Sequence, residues 1–322
     1  MLLRIMGSNT DESLLEETSM DDRAVGSLLV LISAAGFGTL GVFGRLTSNL
    51  GMTVPTTLTF RFVFGTLAFY FLLALNHLRE RQVRGPVRNV ASNETSFFLK
   101  GRYLALAFGL GALGYTTMSG LFFWSVTFIP VGVAAVVLYT YPMLVVALSA
   151  LILREKITRY MTIALVLAFS GVILIAGFDV ASASLKGVMM VLIAAIVYSA
   201  YIIICRAVLA RVNAQVLTAY VIPSAAIAFL LYGLASNQLS IPEFPDGWIL
   251  VGGLAVLGTA IPVFAFFGGL SRIGASRASI LSTFEPVVTV LLGITFLGEQ
   301  VTLATFLGGL CVLLGGIIVH KR

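Results

Sequence analysis

Charged residues are scarce in this sequence: they make up 11% of its 322 residues, whereas hydrophobic residues make up 59%. A soluble domain is about a quarter charged, because polar groups must cover its water-facing surface. The shortage of charge therefore excludes a soluble enzyme of one or two domains. Two cysteines likewise exclude a disulfide-rich secreted domain. What remains is a membrane protein that crosses the bilayer several times.

Long apolar runs, separated by turn formers and charges, predict ten helices. A transmembrane helix needs about 20 apolar residues, and candidates of about that length lie at residues 26–46, 56–76, 103–126, 132–152, 160–178, 187–205, 215–235, 248–270, 278–297 and 302–319. Strands of a membrane barrel are about 10 residues of alternating polarity, which these runs are not. The sequence thus predicts an all-α membrane protein with ten transmembrane helices.

The basic residues predict the orientation of these helices. With the N-terminus placed in the cytoplasm, the outer loops hold Lys186, and the cytoplasmic segments hold Arg4, Arg23, Arg79, Arg81, Arg84, Arg88, Lys100, Arg102, Arg154, Lys156, Arg159, Arg206, Arg211, Arg272, Arg277, Lys321 and Arg322. Because basic residues accumulate in cytoplasmic loops, both termini are predicted to be cytoplasmic in a multi-pass protein of the plasma membrane. The positive charge then faces anionic lipid, and no nucleic-acid partner is expected. Residues 1–25 lack an apolar core and are expected to form a disordered cytoplasmic tail.

The second half of the sequence repeats the first. Residues 144 positions apart match without a gap, among them Leu113 and Leu257, Gly114 and Gly258, Ile129 and Ile273, Pro142 and Pro286, Glu155 and Glu299, and Gly171 and Gly315. Upstream the spacing is 161, as between Arg45 and Arg206. The predicted units, 26–178 and 187–319, each hold five helices, an odd number, so the second must be inverted in the membrane. Inverted repeats are typical of secondary transporters, whose substrate site lies near the midplane between the repeats.

The repeated motifs resemble a known family. An Ala-rich helix with a central proline precedes a glutamate turn and a Gly-rich helix: Ala134 to Pro142 leads to Arg154-Glu155, and Ala278 to Pro286 leads to Gly298-Glu299. Over residues 26–319 the chain resembles the drug/metabolite transporter superfamily, specifically its ten-helix EamA-type members, and Arg61-Phe62 is also family-like. The resemblance implies a monomeric exporter or exchanger of small metabolites, often driven by protons. No cofactor is expected.

Glu285 is the one carboxylate deep inside a predicted span. An ionised side chain there is costly, and such residues are candidates for function. Glu285 is predicted either to couple transport to protons or to bind a substrate amine. The alternative is a protonated structural acid that is bonded to a neighbouring Ser, Tyr or backbone carbonyl.

Further candidate residues carry open alternatives. Arg61 either binds a substrate carboxylate or, as we favour, extends to the outer interface. Arg61 and Glu285 are not expected to pair, because they are predicted near opposite faces of the membrane. Several aromatic side chains are expected either to line a cavity or to pack at the membrane interface; among them we single out Tyr139, Tyr141, Tyr198 and Phe284.

Prolines and two further glutamates mark places where helices bend or end. Pro142 and Pro286 lack an N–H, so each is predicted to kink its helix and free a carbonyl four residues earlier. The freed carbonyls either face a cavity or are satisfied by packing. Glu155 and Glu299 are expected to act in caps or turns rather than in substrate contact.

The sequence does not place catalytic side chains at the spacings that an active site needs. The two histidines, His77 and His320, lie at membrane edges, and no metal-binding spacing such as H-E-x-x-H occurs. The sequence therefore predicts no metal site and no enzyme. It predicts a secondary transporter that works by alternating access, with protons as a second partner left open. The alternative is a channel-like or drug-efflux permease without proton coupling.

Overall fold

The computed structural model describes residues 8–84, 97–129, 131–176, 184–297 and 302–321, and in these ranges every regular element is a helix. The α-helices are α1 (Ser8–Gly38), α2 (Leu40–Asn49), α3 (Val54–Arg84), α4 (Arg102–Gly109), α5 (Thr116–Ser125), α6 (Val131–Leu138), α7 (Tyr141–Leu148), α8 (Arg159–Ala176), α9 (Leu185–Leu209), α10 (Ala214–Ala235), α11 (Asp246–Ala255), α12 (Ile261–Ser282), α13 (Glu285–Leu297) and α14 (Leu303–Lys321). Three π-helical segments are inserted between them, at Leu110–Tyr115, Ser149–Leu153 and Val256–Ala260.

Eight stretches of the described chain are long and apolar enough to cross a membrane: Asp21–Asn49, Val54–Leu75, Arg102–Ser125, Val133–Leu153, Leu185–Leu209, Ala214–Ala235, Asp246–Ser282 and Leu303–His320. Two shorter apolar helices, Arg159–Ile175 and Glu285–Phe296, accompany them. These positions agree with the predicted spans except near residue 274. There the sequence predicts a loop, whereas the structure has one sharp break at Gly274, with φ 82° and ψ 172°. Glycine alone adopts this conformation readily, so one residue replaces the loop.

The first helix, α1, begins inside the segment that the sequence predicts to be a tail. α1 starts at Ser8, inside the segment 1–25, of which residues 1–7 lie outside the described part. Near the end of that segment Asp22 pairs with Arg272, and the Nε–Oδ1 distance is 3.0 Å. This ion pair ties the start of the chain to α12.

The two halves of the chain pack against each other through equivalent helices. α8 and α14 correspond under the spacing of 144 and pack extensively together. They are antiparallel, since Gly171 lies against Gly308 and Ala164 lies against Gly315. Each helix of this pair therefore meets its own repeat equivalent, running in the opposite direction.

A second pair of helices repeats this arrangement. α3 and α10 correspond under the spacing of 161 and also pack together. The Phe62 and Phe229 rings stack with centroids 5.3 Å apart, and the Tyr70 hydroxyl donates to the Ala219 carbonyl over 2.8 Å. Residue numbers thus rise along α3 as they fall along α10, so this pair is antiparallel as well.

Glycines set the close approach of α8 and α14. A Cβ added to Gly308 would lie 2.6 Å from the Gly171 carbonyl oxygen and 2.9 Å from the Ile175 nitrogen. Both neighbours are backbone atoms, which cannot move away as the end of a flexible side chain could. Small residues at such a crossing let two helix backbones meet, which is a main source of helix association in lipid.

Substitution of Gly308 by alanine is expected to lower the free energy of unfolding by about 1–3 kcal/mol, because the two backbones must separate. Gly309 is the matched control, since a Cβ there would meet no atom within 4 Å. Gly309→Ala should be neutral or raise stability by up to about 1 kcal/mol through helix propensity. Unfolding of both variants in detergent micelles measures the difference. Equal effects would show that the crossing does not depend on Gly308.

One end of the bundle carries most of the described basic connections, and we call it the basic face. There the Glu155 carboxylate accepts a hydrogen bond from the Ala275 N–H over 2.9 Å, and Asp22 pairs with Arg272. These contacts join the tail, the α7–α8 connection and the Gly274 break. The sequence predicts all three on the cytoplasmic side.

Connections predicted outside the cell also meet one another, at the opposite face. The Thr53 hydroxyl donates to the Gln238 carbonyl over 2.7 Å. The Lys186 ammonium lies 4.4 Å from the centroid of the Phe128 ring. Each of these two contacts thus joins connections that the sequence predicts on the outer side.

Candidate functional site

Two helices are interrupted at equivalent places in the middle of the chain's halves. α6 ends at Leu138 and α7 begins at Tyr141, while α12 ends at Ser282 and α13 begins at Glu285. In each case the second residue of the new helix is a proline, whose fixed φ suits the first turn and whose missing N–H costs nothing there. The breaks therefore present Tyr141 and Glu285, which correspond under the spacing of 144, at helix starts.

Threonines satisfy carbonyl groups at these breaks. The Thr140 hydroxyl donates to the Val137 carbonyl over 2.7 Å, and the Thr283 hydroxyl donates to the Ile280 carbonyl over 2.6 Å. Local hydroxyl groups thus take up backbone acceptors of the turn before each break. This helps to keep both interruptions ordered inside an apolar bundle.

Glu285 is half-buried at the start of α13. Its carboxylate lies near the Tyr139 hydroxyl, and Tyr139 is itself 5% exposed. A phenol at this place fits both interpretations of Glu285, as a functional acid and as a bonded structural acid. Glu285 therefore stays a candidate site residue, now with a named partner.

Arg61 is buried, so the favoured interpretation that it extends to the outer interface is wrong. Its side chain is 1% exposed. Nε donates to the Thr259 hydroxyl over 2.8 Å, and Nη2 donates to the Gly258 carbonyl over 3.0 Å and to the Tyr115 hydroxyl over 3.5 Å. The guanidinium also lies 5.0 Å from the Phe62 ring centroid. A buried charge with this many partners is a candidate for a functional role inside the bundle.

The expected separation of Arg61 and Glu285 is also wrong. The two side chains face one interior region of the bundle, although within the described residues no ion pair joins them. Counting residues from each helix end assumed straight helices along the membrane normal, but the helix before Glu285 is broken at Gly274 and again after Ser282. The breaks shift Glu285 relative to that count. The structure therefore contains opposite charges in one interior region.

Five tyrosines connect these two charges. The ring centroids of Tyr139 and Tyr141 lie 6.0 Å apart, those of Tyr141 and Tyr198 4.7 Å, those of Tyr198 and Tyr201 6.0 Å, and those of Tyr201 and Tyr115 5.7 Å. The row runs from Glu285, beside Tyr139, to Arg61, beside Tyr115. We call these five residues the tyrosine row.

One hydroxyl in the tyrosine row has no matching polar partner. The Tyr201 hydroxyl, beside the Cys205 thiol, is buried without an oxygen or nitrogen partner among the described residues. An unpaired buried polar group is rare in proteins and is often satisfied by water or by a ligand. Tyr201 therefore joins the candidate site.

The sequence-based candidates divide as follows. The structure brings together Arg61, Tyr139, Tyr141, Tyr198 and Glu285. Phe284 is half-buried next to Glu285, but among the described residues its ring contacts no other aromatic ring.

The two chosen prolines and the two further glutamates also have defined places. Pro142 and Pro286 follow the helix breaks. Glu155 caps a helix start at the basic face, as expected of a capping residue, whereas Glu299 lies outside the described residues.

A comparison with known proteins places this architecture. The EamA-like transporter family matches residues 24–177 and again residues 185–320. The chain belongs to the EamA-like transporter family. Together with its long apolar helices, this makes it a multi-pass protein of the plasma membrane. The family also belongs to the drug/metabolite transporter superfamily, so the resemblance predicted from the motifs is confirmed.

Relatives of this EamA-like transporter carry the same general description. An uncharacterised transporter of Archaeoglobus fulgidus is 31% identical over 228 residues, which cover 70% of this chain and 80% of the relative. The uncharacterised transporter YcbK of Bacillus subtilis is 23% identical over 303 residues, 91% of this chain and 92% of the relative. A solved crystal structure shares the fold with a TM-score of 0.73 and 18% identity, covering 92% of this chain and 96% of the other.

Three residues at the site of this EamA-like transporter were not singled out from the sequence. Tyr115 and Tyr201 are two of the aromatic side chains in the predicted spans, but nothing in the pattern singles them out, and Thr259 lies in no motif. A signal exists, since Tyr115 and Thr259 correspond under the spacing of 144 and both hold Arg61. Both also lie in π-helical segments, which occur often at functional sites.

Within the described ranges, no group of three or more His, Cys, Asp or Glu side chains lies close enough to hold a metal ion. The described interior instead offers a guanidinium, a carboxylate and phenols. These groups can bind charged and aromatic solutes and can hold a proton. The family description points to transport rather than to an enzyme.

Proposed function

We propose that this protein is a secondary transporter that exports or exchanges small metabolites by alternating access, with coupling to protons through Glu285. The observation that carries the proposal is the interior polar site itself. Arg61 and Glu285 place opposite charges at the two ends of the tyrosine row, inside an otherwise apolar bundle. Ionisable groups are costly in a membrane and mark substrate or proton pathways.

Packing of equivalent helices supports an inverted repeat. α8 lies antiparallel to its equivalent α14, and α3 lies antiparallel to its equivalent α10. Two halves that are related in this way have opposite orientations in the bilayer. Inverted repeats carry substrate at their interface and open it alternately to the two sides.

Ten membrane crossings follow when the two shorter helices are counted. The stretch Asp246–Ser282 contains the break at Gly274 at the basic face, so it supplies one complete crossing and the start of the next. α13 then completes the crossing that begins after Gly274, and α8 supplies the fifth crossing of the first half. Residues 26–178 and 187–319 would each contribute five helices, with both termini in the cytoplasm.

Burial of the site supports a transport cycle in which the halves move. Arg61 is 1% exposed, and four members of the tyrosine row are at most 6% exposed. A solute can reach these groups only if helices of the two halves separate at one face. An open channel would instead leave its lining accessible from both sides.

Purified protein in liposomes tests the proposed function. With a pH gradient imposed, we expect one or more solutes from a panel of amino acids, nucleosides and organic cations to enter saturably, with proton movement in the same assay. Saturable uptake without proton movement would indicate a permease and would contradict the proposed coupling to protons. Non-saturable flux would indicate a channel, and chemical conversion of the solute would indicate an enzyme.

Cysteine labelling tests the proposed orientation. In a variant without the native cysteines, Lys100→Cys should react with a membrane-impermeant maleimide only from the cytoplasmic side, and Gln238→Cys only from outside. Both positions are exposed, at the basic face and the opposite face respectively. Labelling of both from the same side would rule out the proposed topology.

A further inference from the structure

Glu155 binds the start of a helix that belongs to the other half of the chain. Its Oε1 accepts a hydrogen bond from the Ala275 N–H over 2.9 Å, and Oε2 accepts from the Ser276 N–H over 3.1 Å and from the Ser276 hydroxyl over 2.7 Å. These N–H groups are free because the helix restarts after Gly274. A carboxylate at a helix start also interacts favourably with the positive end of the helix dipole.

Gly274 makes this contact sterically feasible. Its φ of 82° turns the chain so that the N–H groups of the next two residues point toward Glu155. A Cβ at this position would lie 2.8 Å from Glu155 Oε1. Glycine is therefore needed both for the backbone conformation and for the approach of the carboxylate.

A second contact lies beside the first. The hydroxyl groups of Ser149 and Ser276 are hydrogen-bonded to each other, and both side chains are fully buried. Ser149 also holds the glutamate turn, because its carbonyl accepts from the Glu155 N–H over 3.1 Å. The end of one helix in the first half is thus fixed to the beginning of another in the second half.

We infer that Glu155, with Ala275 and Ser276, forms a latch that holds the basic face of the transporter closed and must open once in each transport cycle. This inference rests on the proposed alternating access. The latch joins the two halves at the cytoplasmic side, so the halves cannot separate there while it is intact. The three hydrogen bonds involve an ionised acceptor, which makes them stronger than neutral ones.

Accessibility of a buried cysteine measures the latch without any substrate. Ser279 is fully buried and lies one helical turn beyond Ser276, so Ser279→Cys in a cysteine-free background reports opening at the basic face. Adding Glu155→Gln removes the charge and one of two strong acceptors, and we expect maleimide to label Ser279→Cys about tenfold faster from the cytoplasmic side. Glu155→Asp, which keeps the charge, should raise the rate less.

Two controls separate a latch from general loosening. Thr218→Cys lies fully buried at a similar depth on α10, and its labelling should not change with Glu155→Gln. Glu243→Gln removes an exposed carboxylate and should leave Ser279→Cys unchanged. An unchanged rate at Ser279→Cys in Glu155→Gln, or equal increases at Ser279→Cys and Thr218→Cys, would overturn the latch.

Cross-linking tests the same inference in a folded protein with Glu155 intact. The hydrogen-bonded hydroxyls of Ser149 and Ser276 put Ser149→Cys and Ser276→Cys within reach of a disulfide. Oxidation by copper phenanthroline removes two electrons and two protons from the thiols, and we expect it to abolish transport until a reductant restores the thiols. Transport that persists with the cross-link complete would contradict the latch. The labelling result stays informative even if no solute is transported, so failure of the proposed function is distinguishable from failure of the latch.

Discussion

Substitution of Glu285 by glutamine is expected to abolish proton-coupled accumulation of the solute. A gradient of one pH unit corresponds to about 1.4 kcal/mol per proton. A carrier that moves one proton per solute can therefore accumulate that solute about tenfold across this gradient. Glutamine cannot release or take up a proton, so the solute should only equilibrate. Solute uptake and proton flux in the same liposomes measure the change.

Folding of the Glu285→Gln variant should remain intact. Glutamine has nearly the same size as glutamate, and its carbonyl can accept a hydrogen bond from the nearby Tyr139 hydroxyl. Arg61 keeps its bonds to Thr259 and Gly258. Glu243→Gln is the control, because that carboxylate is exposed and should not affect coupling. Full proton-driven accumulation in Glu285→Gln would remove Glu285 from the coupling mechanism.

The membrane spans could be predicted from the sequence because the bilayer fixes their length and polarity. The predicted run 215–235 and the observed Ala214–Ala235 differ by one residue at their start. The repeat was detectable for a similar reason, since proline, glutamate and glycine keep their spacing while apolar residues exchange. These signals are local or periodic, so one sequence carries them in full.

Side-chain direction could not be predicted in the same way. The pattern around Arg61 is equally suited to an arginine that reaches the interface, and the partner that decides the matter, Thr259, lies 198 residues away. Charges also misled the prediction near Gly274, because Arg272 and Arg277 suggest a loop. The glycine conformation that replaces this loop depends on Glu155, which again comes from the other half.

The candidate site was partly predictable because the tyrosines and Glu285 are unusual in apolar helices. Their arrangement in a row was not, since it depends on how α9 packs on both halves. Tyr201 illustrates the difference. As a residue it is one more aromatic in a helix, whereas its unpaired hydroxyl is visible only when the surrounding helices are in place.

Substitution of Arg61 by glutamine is expected to lower the free energy of unfolding by about 1–3 kcal/mol, because it removes a buried, charged hydrogen-bond donor and the positive charge that shares an interior region with the Glu285 side chain. Thr259 and the Gly258 carbonyl lose their donor as well. Arg211→Gln is the control, since that side chain is exposed and such surface changes stay within about 0.5 kcal/mol. Unfolding in detergent micelles measures both.

The double variant Arg61→Gln with Glu285→Gln isolates the interaction between the two charges. When both are removed, neither remains uncompensated, so the combined loss should be smaller than the sum of the two single losses by about 1–3 kcal/mol. Strict additivity would mean that Arg61 stabilises the bundle through Thr259, Gly258 and Tyr115 alone. The charge of Arg61 would then have no role in stabilising Glu285. Any interaction between the two ends of the tyrosine row would have to be made by the bound substrate.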